Sequence, residues 1–285
     1  MARKKLTLRS KTVGQKEQIK FEGSVSETLL INLYMRHLDS LKKQPVLGDP
    51  HSSDVVAKID YDFAKFDESH MTKVGACVRA RYIDETILEY AKGRENLIIV
   101  QIGAGLDTRP LRLSERIDGA IFYDLDLPSV MELRDKLIPK NGRMFSMRAS
   151  MFDDEWIKEL KERHAGATFI FVFEGVVMYF DSSVIRDFFA KLAENFDGII
   201  MCDIIHESAM KIFKQERHDS LKHVSGKLKF YGASAEGLAS EHVHLTKCEN
   251  MMELYKSHWS LKARLLTLFP IIRNMSKFCV YEMSR

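Results

Sequence analysis

Leu97-Ile-Ile-Val-Gln-Ile-Gly-Ala-Gly-Leu-Asp-Thr-Arg109 is a short, largely β-branched apolar run that stops at a glycine-rich turn. Polar sequence flanks it, so it reads as a buried strand of a parallel sheet covered on both faces. Gly103 and Gly105 let the backbone turn tightly and approach a ligand without a Cβ in the way. Thr108-Arg-Pro110 reads as a helix start, because proline is tolerated in the first turn. Strand, turn and helix in this order form a nucleotide-binding corner.

A second strand-like run, Ala120-Ile-Phe-Tyr-Asp-Leu-Asp126, ends in acids about 20 residues on, where a ribose-binding carboxylate is expected. Asp124 and Asp126 share one side of that strand by the period of two. A dinucleotide site carries a third glycine three residues after the second, and here that position is Thr108. Asp107 sits where a pyrophosphate would lie, and an unpaired carboxylate there would repel it. Both features argue against a nicotinamide-dependent oxidoreductase. S-adenosylmethionine carries a sulfonium and an ammonium instead, and an acid-rich pocket suits it.

From residue 97 onward strands and helices alternate, which predicts an α/β fold with a doubly wound, mostly parallel sheet. The expected strands are 97–102, 120–125, 143–149, 168–173 and 198–204, with helices at 108–116, 128–139, 153–163 and 182–195. Before the sheet, Ser24-Val-Ser-Glu27 reads as a capping box for a helix whose apolar stripe includes Leu30, Leu33, Tyr34, Leu38 and Leu41. Further helices are expected at about 53–66 and 70–92, stopped by Gly93. The chain thus divides into a basic tail (1–20), a helical cap (21–93) and a cofactor-binding domain (94–285). Within that domain, 206–260 reads as a mostly helical insertion forming a substrate wall, with a second capping box at Thr246 and Glu249. Strands at 261–268 and 276–283 would close the sheet as a hairpin.

The 285 residues are ample for a sizeable core, and 45% hydrophobic with 29% charged residues describes an ordinary globular protein. A net charge of +3 does not predict a polyanionic partner, and the basic tail lacks the aromatic or groove-reading element of a nucleic-acid binder. Cys77, Cys202, Cys248 and Cys279 form no C-x-x-C, which predicts free thiols and a cytoplasmic setting. No apolar stretch approaches a membrane span, so no membrane partner is expected.

Candidate chemistry gathers at strand ends. Thr168-Phe-Ile-Phe-Val-Phe173 runs into Glu174-Gly-Val-Val-Met-Tyr179, which brings Glu174 toward the ligand beside Gly103. Arg79 and Arg81 lie on the helix before the first strand, and one of them turned inward would supply a fork for a carboxylate. Asp203, His206 and Glu207 after the fifth strand admit a Mg²⁺ site or a general base, although a polar helix start explains them equally well. His242, His244 and His258 have no zinc-like accompaniment.

The segments SETLLINLYMRHL, VRARYIDETI, GAGLDTRPLRL, FYDLDLP and EGVVMYF, in this order between about Ser24 and Ile204, make the chain resemble the leucine carboxyl methyltransferase family. The resemblance is to its bacterial small-molecule branch, related to polyketide O-methyltransferases. It implies a class I methyltransferase fold that uses S-adenosylmethionine and no metal. It implies that Gly103 and Gly105 line the methionine end, with Asp107 in the same turn, and that Asp126 binds the ribose hydroxyls. Glu174 would lie near the amino-acid portion. Arg79 would face cofactor and acceptor, and Tyr179 matches the tyrosine of the EG-x-x-MY segment. Asp124 stands where Glu is more usual, and Ser150-Met151 stand where Asp-Leu often flanks the adenine. The expected function is an O-methyltransferase for a small, anionic acceptor, a carboxylate first and a phenolic or enolic oxygen second, with Arg79 and Tyr179 as catalytic donors. A non-catalytic sensor of S-adenosylmethionine would share every cofactor residue.

Overall fold

Strand β1 (Leu97–Ile102) is buried at every position in the computed structural model of the protein, which describes residues 16–19, 24–66, 70–210 and 229–284. Its pleat splits the core. Ile98, Val100 and Ile102 pack with Trp156, Phe188 and Leu192 on one face, while Leu97 and Ile99 pack with Ile83, Ile87 and Leu113 on the other. A strand covered twice is apolar nearly throughout, here at every position but Gln101, which is why its bounds are legible in the residues themselves.

Parallel strands β2 (Ile121–Asp126), β3 (Met144–Arg148), β4 (Thr168–Phe173) and β5 (Asp197–Ile205) flank it, and antiparallel β6 (Val243–Asn250) and β7 (Ser276–Met283) finish one edge. The order across the sheet is β3-β2-β1-β4-β5-β7-β6. Helices α1 (Ser24–Ser40), α2 (Pro50–Ala57) and α3 (His70–Ala91) precede it. The crossovers carry α4 (Arg109–Leu113), α5 (Pro128–Leu137), α6 (Glu155–Arg163) and α7 (Ser182–Asn195), and α8 (Leu261–Leu266) and α9 (Pro270–Arg273) lie between the last two strands.

The cap rests on the glycine turn. Leu30, Leu33 and Met35 of α1, Val55 of α2 and Ala76 of α3 share a buried cluster with Leu106, which follows Gly105. Each large aliphatic side chain so buried contributes roughly 1.5–3 kcal/mol. The same α3 then runs under the sheet, where Ile83 and Ile87 cover β1.

Several local expectations are corrected. The helix expected at 53–66 is α2 alone, entered through Pro50 and capped by Asp49, whose side chain accepts from the His51 N–H at 3.2 Å. The chain then extends, because Ile59–Asp60 pairs in parallel with Glu17–Gln18, and a 3₁₀ turn at Phe63–Phe66 follows. Segment 261–268 is not a strand. Ser260 caps α8 by accepting from the Ala263 N–H at 3.2 Å, and helix-forming Leu, Lys, Ala and Arg follow it. β7 pairs antiparallel with β5 on one side and with β6 on the other, and β6 lies inside the segment expected to be helical. Thr246 and Glu249 are strand residues there, not a capping box, and the Thr246 hydroxyl donates to the Val280 carbonyl at 3.1 Å. As an edge strand, β6 is half polar, so no apolar run announces it. The side chains of 24–27, most of the basic tail (1–15 and Lys20) and 211–228 of the 206–260 segment lie outside the described residues.

Candidate functional site

A cavity of about 940 Å³ opens at the carboxyl ends of β1, β2, β4 and β5, beneath α1 and α3. Its floor is the glycine turn. Gly103 and Gly105 hold φ of +64° and +50°, in the left-handed region, where a side chain costs energy. A Cβ on Gly103 would stand 2.6 Å from Val176 Cγ2, and one on Gly105 2.8 Å from Leu29 Cδ2. The turn is tied to β2 from two sides. The Gly105 N–H donates to Asp126 Oδ2 at 2.8 Å, and Arg134 Nη1 donates to the Gly105 carbonyl at 3.0 Å.

Those two ties separate the acids of β2. Asp126 lines the cavity and also accepts from the Leu127 N–H at 2.7 Å. Burial pushes its carboxyl up, against the pull of the two N–H groups. Two of its roughly four acceptor directions remain for a ligand. Asp124 is not among the lining residues. It grips Arg134 through Nη2 at 2.6 Å and Nε at 3.1 Å, and so acts on the turn from behind. The expectation that it contacts a cofactor is corrected to this.

Beside the turn lies a buried network of arginines and carboxylates. Glu174, at the end of β4, accepts from Arg36 Nη2 at 2.7 Å, Arg79 Nε at 3.1 Å and Arg109 Nη2 at 2.5 Å. Burial alone would raise its carboxyl, but the three guanidiniums overcome that and hold it at about 2. Asp107 pairs with Arg36 at 2.6 Å and with Arg109 and Arg112 at 3.0 Å each. Burial opposes its ionisation too, and the arginines hold it well below the usual carboxylate range. It is therefore not the unpaired acid that the sequence suggested, because α1 delivers Arg36 to it. Asp203, at the end of β5, accepts from Arg79 Nη1 at 2.9 Å and from the Gly175 N–H at 2.6 Å. Arg112 and Arg109 reach on to Asp84 of α3, and Arg112 to Asp49 at the head of α2. One network thus joins the cap to the sheet.

Two buried atoms in the cavity's lining residues have no hydrogen-bond partner among the described residues, Arg36 Nε and Gln101 Oε1. Gln101 gives its Nε2 to Asp107 at 3.1 Å. A donor on a guanidinium and an acceptor on an amide match a carboxylate and an ammonium, the two ends of an amino-acid group. The site's own chemistry thus fits a zwitterion beside the turn and a diol at Asp126.

The other expected residues converge on the same space. Arg79, Ser150, Met151 and Tyr179 all line it. Ser150 Oγ accepts from the Phe152 N–H at 3.3 Å, and the Met151 carbonyl accepts from Trp156 Nε1 at 3.2 Å. Tyr179 interacts with Thr28 and packs its ring 5.6 Å from that of Phe230; burial pushes its hydroxyl up. Arg81 instead pairs at the surface with Glu85. His206 and Glu207 stand away from the cavity, and His206 caps the turn that follows it. Asp203 alone of that trio faces the site.

Arg36, Gln101, Arg109 and Arg134 were missed from sequence. The available signal was charge out of place. Arg36 sits in a helix that buries Leu30, Ile31, Leu33 and Met35, where a cation must find an internal partner.

The described strand order and flanking helices are those of a class I methyltransferase fold. A crystal structure of a candidate methyltransferase from Thermobifida fusca superposes with a TM-score of 0.57 at 10% identity, covering 88% of this chain and 94% of that one. The tetracenomycin polyketide synthesis O-methyltransferase TcmP of Streptomyces glaucescens is 30% identical over 163 residues, 57% of this chain and 58% of its own. The S-adenosyl-L-methionine-dependent methyltransferase dpfgK of Gibberella zeae is 29% identical over 185 residues, 60% of this chain and 61% of its own. The chain therefore spans about three fifths of the length of these curated relatives. The Leucine carboxyl methyltransferase family profile matches residues 33–193, a stretch that holds Arg36, Arg79, the glycine turn, Asp126 and Glu174, and the chain belongs to that family.

Proposed function

We propose that this chain binds S-adenosylmethionine in the cavity and transfers its methyl group to an oxygen of a small molecule held alongside. The observation that carries the reading is the pair of unpartnered buried atoms, Arg36 Nε and Gln101 Oε1, beside a glycine turn too close to its neighbours for any Cβ. Arg36 would take the methionyl carboxylate and Gln101 the ammonium, with Gly103 and Gly105 giving the backbone room. Asp126 would take the ribose hydroxyls, and Ser150 and Met151 would flank the adenine. Asp107 and Glu174 hold Arg36 in place for this. When bound, S-adenosylmethionine supplies an electrophilic methyl carbon. The chain's task is then alignment and exclusion of water, effects that contribute roughly 7–11 kcal/mol for near-attack geometry.

Arg79 and Tyr179 are the donors available to an acceptor oxygen, one from α3 and one from the turn after β4. Asp107, Glu174 and Asp203 already accept from arginines or backbone N–H groups, so none is a ready base. An acceptor ionised at neutral pH needs no base, which favours a carboxylate over a phenol of pKa about 10. TcmP, an O-methyltransferase of polyketide synthesis, supports a small-molecule acceptor.

Calorimetric titration with S-adenosylhomocysteine and NADH, followed by radiolabelled methyl transfer to a panel of acids and phenols, tests the reading. Binding of the first ligand only and labelled ester are expected. Tyr179→Phe should leave cofactor affinity within about twofold and lower turnover, because the lost bond belongs to the acceptor. Tight NADH binding, or transfer confined to amines and thiols, would overturn the proposal, and cofactor binding without transfer to any acceptor would favour the sensor.

A further inference from the structure

The segment between β6 and β7 presents its apolar side to solvent. Leu261, Leu265 and Leu268 are 65%, 54% and 76% exposed, and Phe269 and Ile271 are 62% and 42% exposed. The spacing of i, i+4 and i+7 puts the three leucines along one face of α8 and its last turn. Inward, Ala263 is buried with Trp259, Met251 and Met252, so the segment is anchored without its outer face. Leu268 and Phe269 stand at the turn between α8 and α9. Five such side chains within eleven residues exceed the scattered surface leucines of ordinary proteins.

The charge carried by this stretch itself is of one sign, although the turns packed against α9 bring Glu207 and Glu253 near its inner end. Between Glu253 and Glu282 the chain has no acid and carries Lys256, Lys262, Arg264, Arg273 and Lys277. Lys262, Arg264 and Arg273 are exposed, and none makes an ion pair among the described residues. Exposed leucine and phenylalanine interspersed with exposed cations are the composition of a segment that lies in a lipid interface. A second copy on this face would be disfavoured, since a two-fold contact sets the same three cations against each other.

We propose that residues 260–274 dock the protein on an anionic lipid surface, with Leu265, Leu268 and Phe269 entering the acyl boundary and Lys262, Arg264 and Arg273 meeting the headgroups. No helix among the described residues is long and apolar enough to cross a membrane, and the sequence expectation of no membrane partner rested on spans alone. A peripheral segment is invisible to that criterion. Trp259, Met275 and Ser276, at the two ends of the segment, line the cavity, so docking sets the cavity wall beside the lipid. The proposal stands independently of methyl transfer.

Flotation of the full chain with vesicles of phosphatidylcholine, and of three parts phosphatidylcholine to one of phosphatidylglycerol, tests it at low and high salt. At least tenfold stronger partitioning onto the anionic vesicles is expected, weakening as salt rises. Lys262→Gln with Arg264→Gln should weaken binding on the order of twenty-fivefold, about fivefold per cation. Leu268→Ser with Phe269→Ser should cost at least tenfold, and both pairs, being exposed, should melt as the wild type does. Equal partitioning onto the two vesicles, or no partitioning, overturns the proposal. So does a dimer in light scattering that the Leu268→Ser, Phe269→Ser variant dissolves, which would assign the face to a second copy.

Discussion

Replacing Glu174 with glutamine tests the buried network most directly. The amide keeps the shape but cannot accept three charged bonds, from Arg36 at 2.7 Å, Arg79 at 3.1 Å and Arg109 at 2.5 Å. The folded chain holds this carboxyl at about 2 against a reference of 4.5. That difference, at 1.36 kcal/mol per pKa unit, corresponds to about 3 kcal/mol of stability at neutral pH. Removing one partner of a buried pair costs about 3–5 kcal/mol. Each arginine retains another carboxylate, Asp107, Asp203 or Asp84, so the lower figure applies. A loss of about 3 kcal/mol should lower the melting temperature by roughly 6 °C for a chain of this size. The sign with pH follows from the depressed carboxyl. Its contribution is complete above pH 4.5 and is lost as pH falls toward 2, so the wild type should lose stability there that the variant never had. Urea unfolding of both proteins without ligand, stepped from pH 7 to pH 3, reads the difference. A penalty below about 1 kcal/mol at pH 7, or one that does not shrink in acid, would refute the view that Glu174 is the ionised hub of the network.

Asp126→Ala should weaken S-adenosylhomocysteine binding about ten- to hundredfold, the equivalent of charged hydrogen bonds worth about 1.5–3 kcal/mol. Asp124→Ala should instead lower the melting temperature, since it strands Arg134 behind the turn; calorimetry paired with thermal scans separates the two, and a larger affinity loss for Asp124→Ala at unchanged stability would reverse the assignment. Gly103→Ala should destabilise by roughly 1–3 kcal/mol, through both a φ of +64° and the approach to Val176. Adding Val176→Ala should recover the clash but not the backbone strain, and full recovery in urea titrations would mean that the turn is not strained.

Much of the site was legible because it is local. The G-x-G turn, Asp126 and Glu174 each sit at the end of an apolar strand, and parallel sheets gather strand ends at one edge, so naming the strands named the residues. Arg79 and Tyr179 came from the family resemblance and do line the same cavity. The closing hairpin was misplaced for the converse reason. Its partner strand β6 is half exposed and polar, whereas α8 carries an apolar run that imitates a strand.

Sequence by itself determined the sheet's central strands, the tight glycine turn and the helix starts near Pro110 and Pro128, because each depends on covalent neighbours and on which faces must be apolar. Tertiary structure alone decided how the charges are shared. Arg36 meets Glu174 across 138 residues and Arg79 meets Asp203 across 124. Which acid neutralises which arginine is set by how α1 and α3 dock on the sheet. That docking turned Asp107 from a lone carboxylate into a paired one and assigned Asp124 and Asp126, two residues apart, to different tasks.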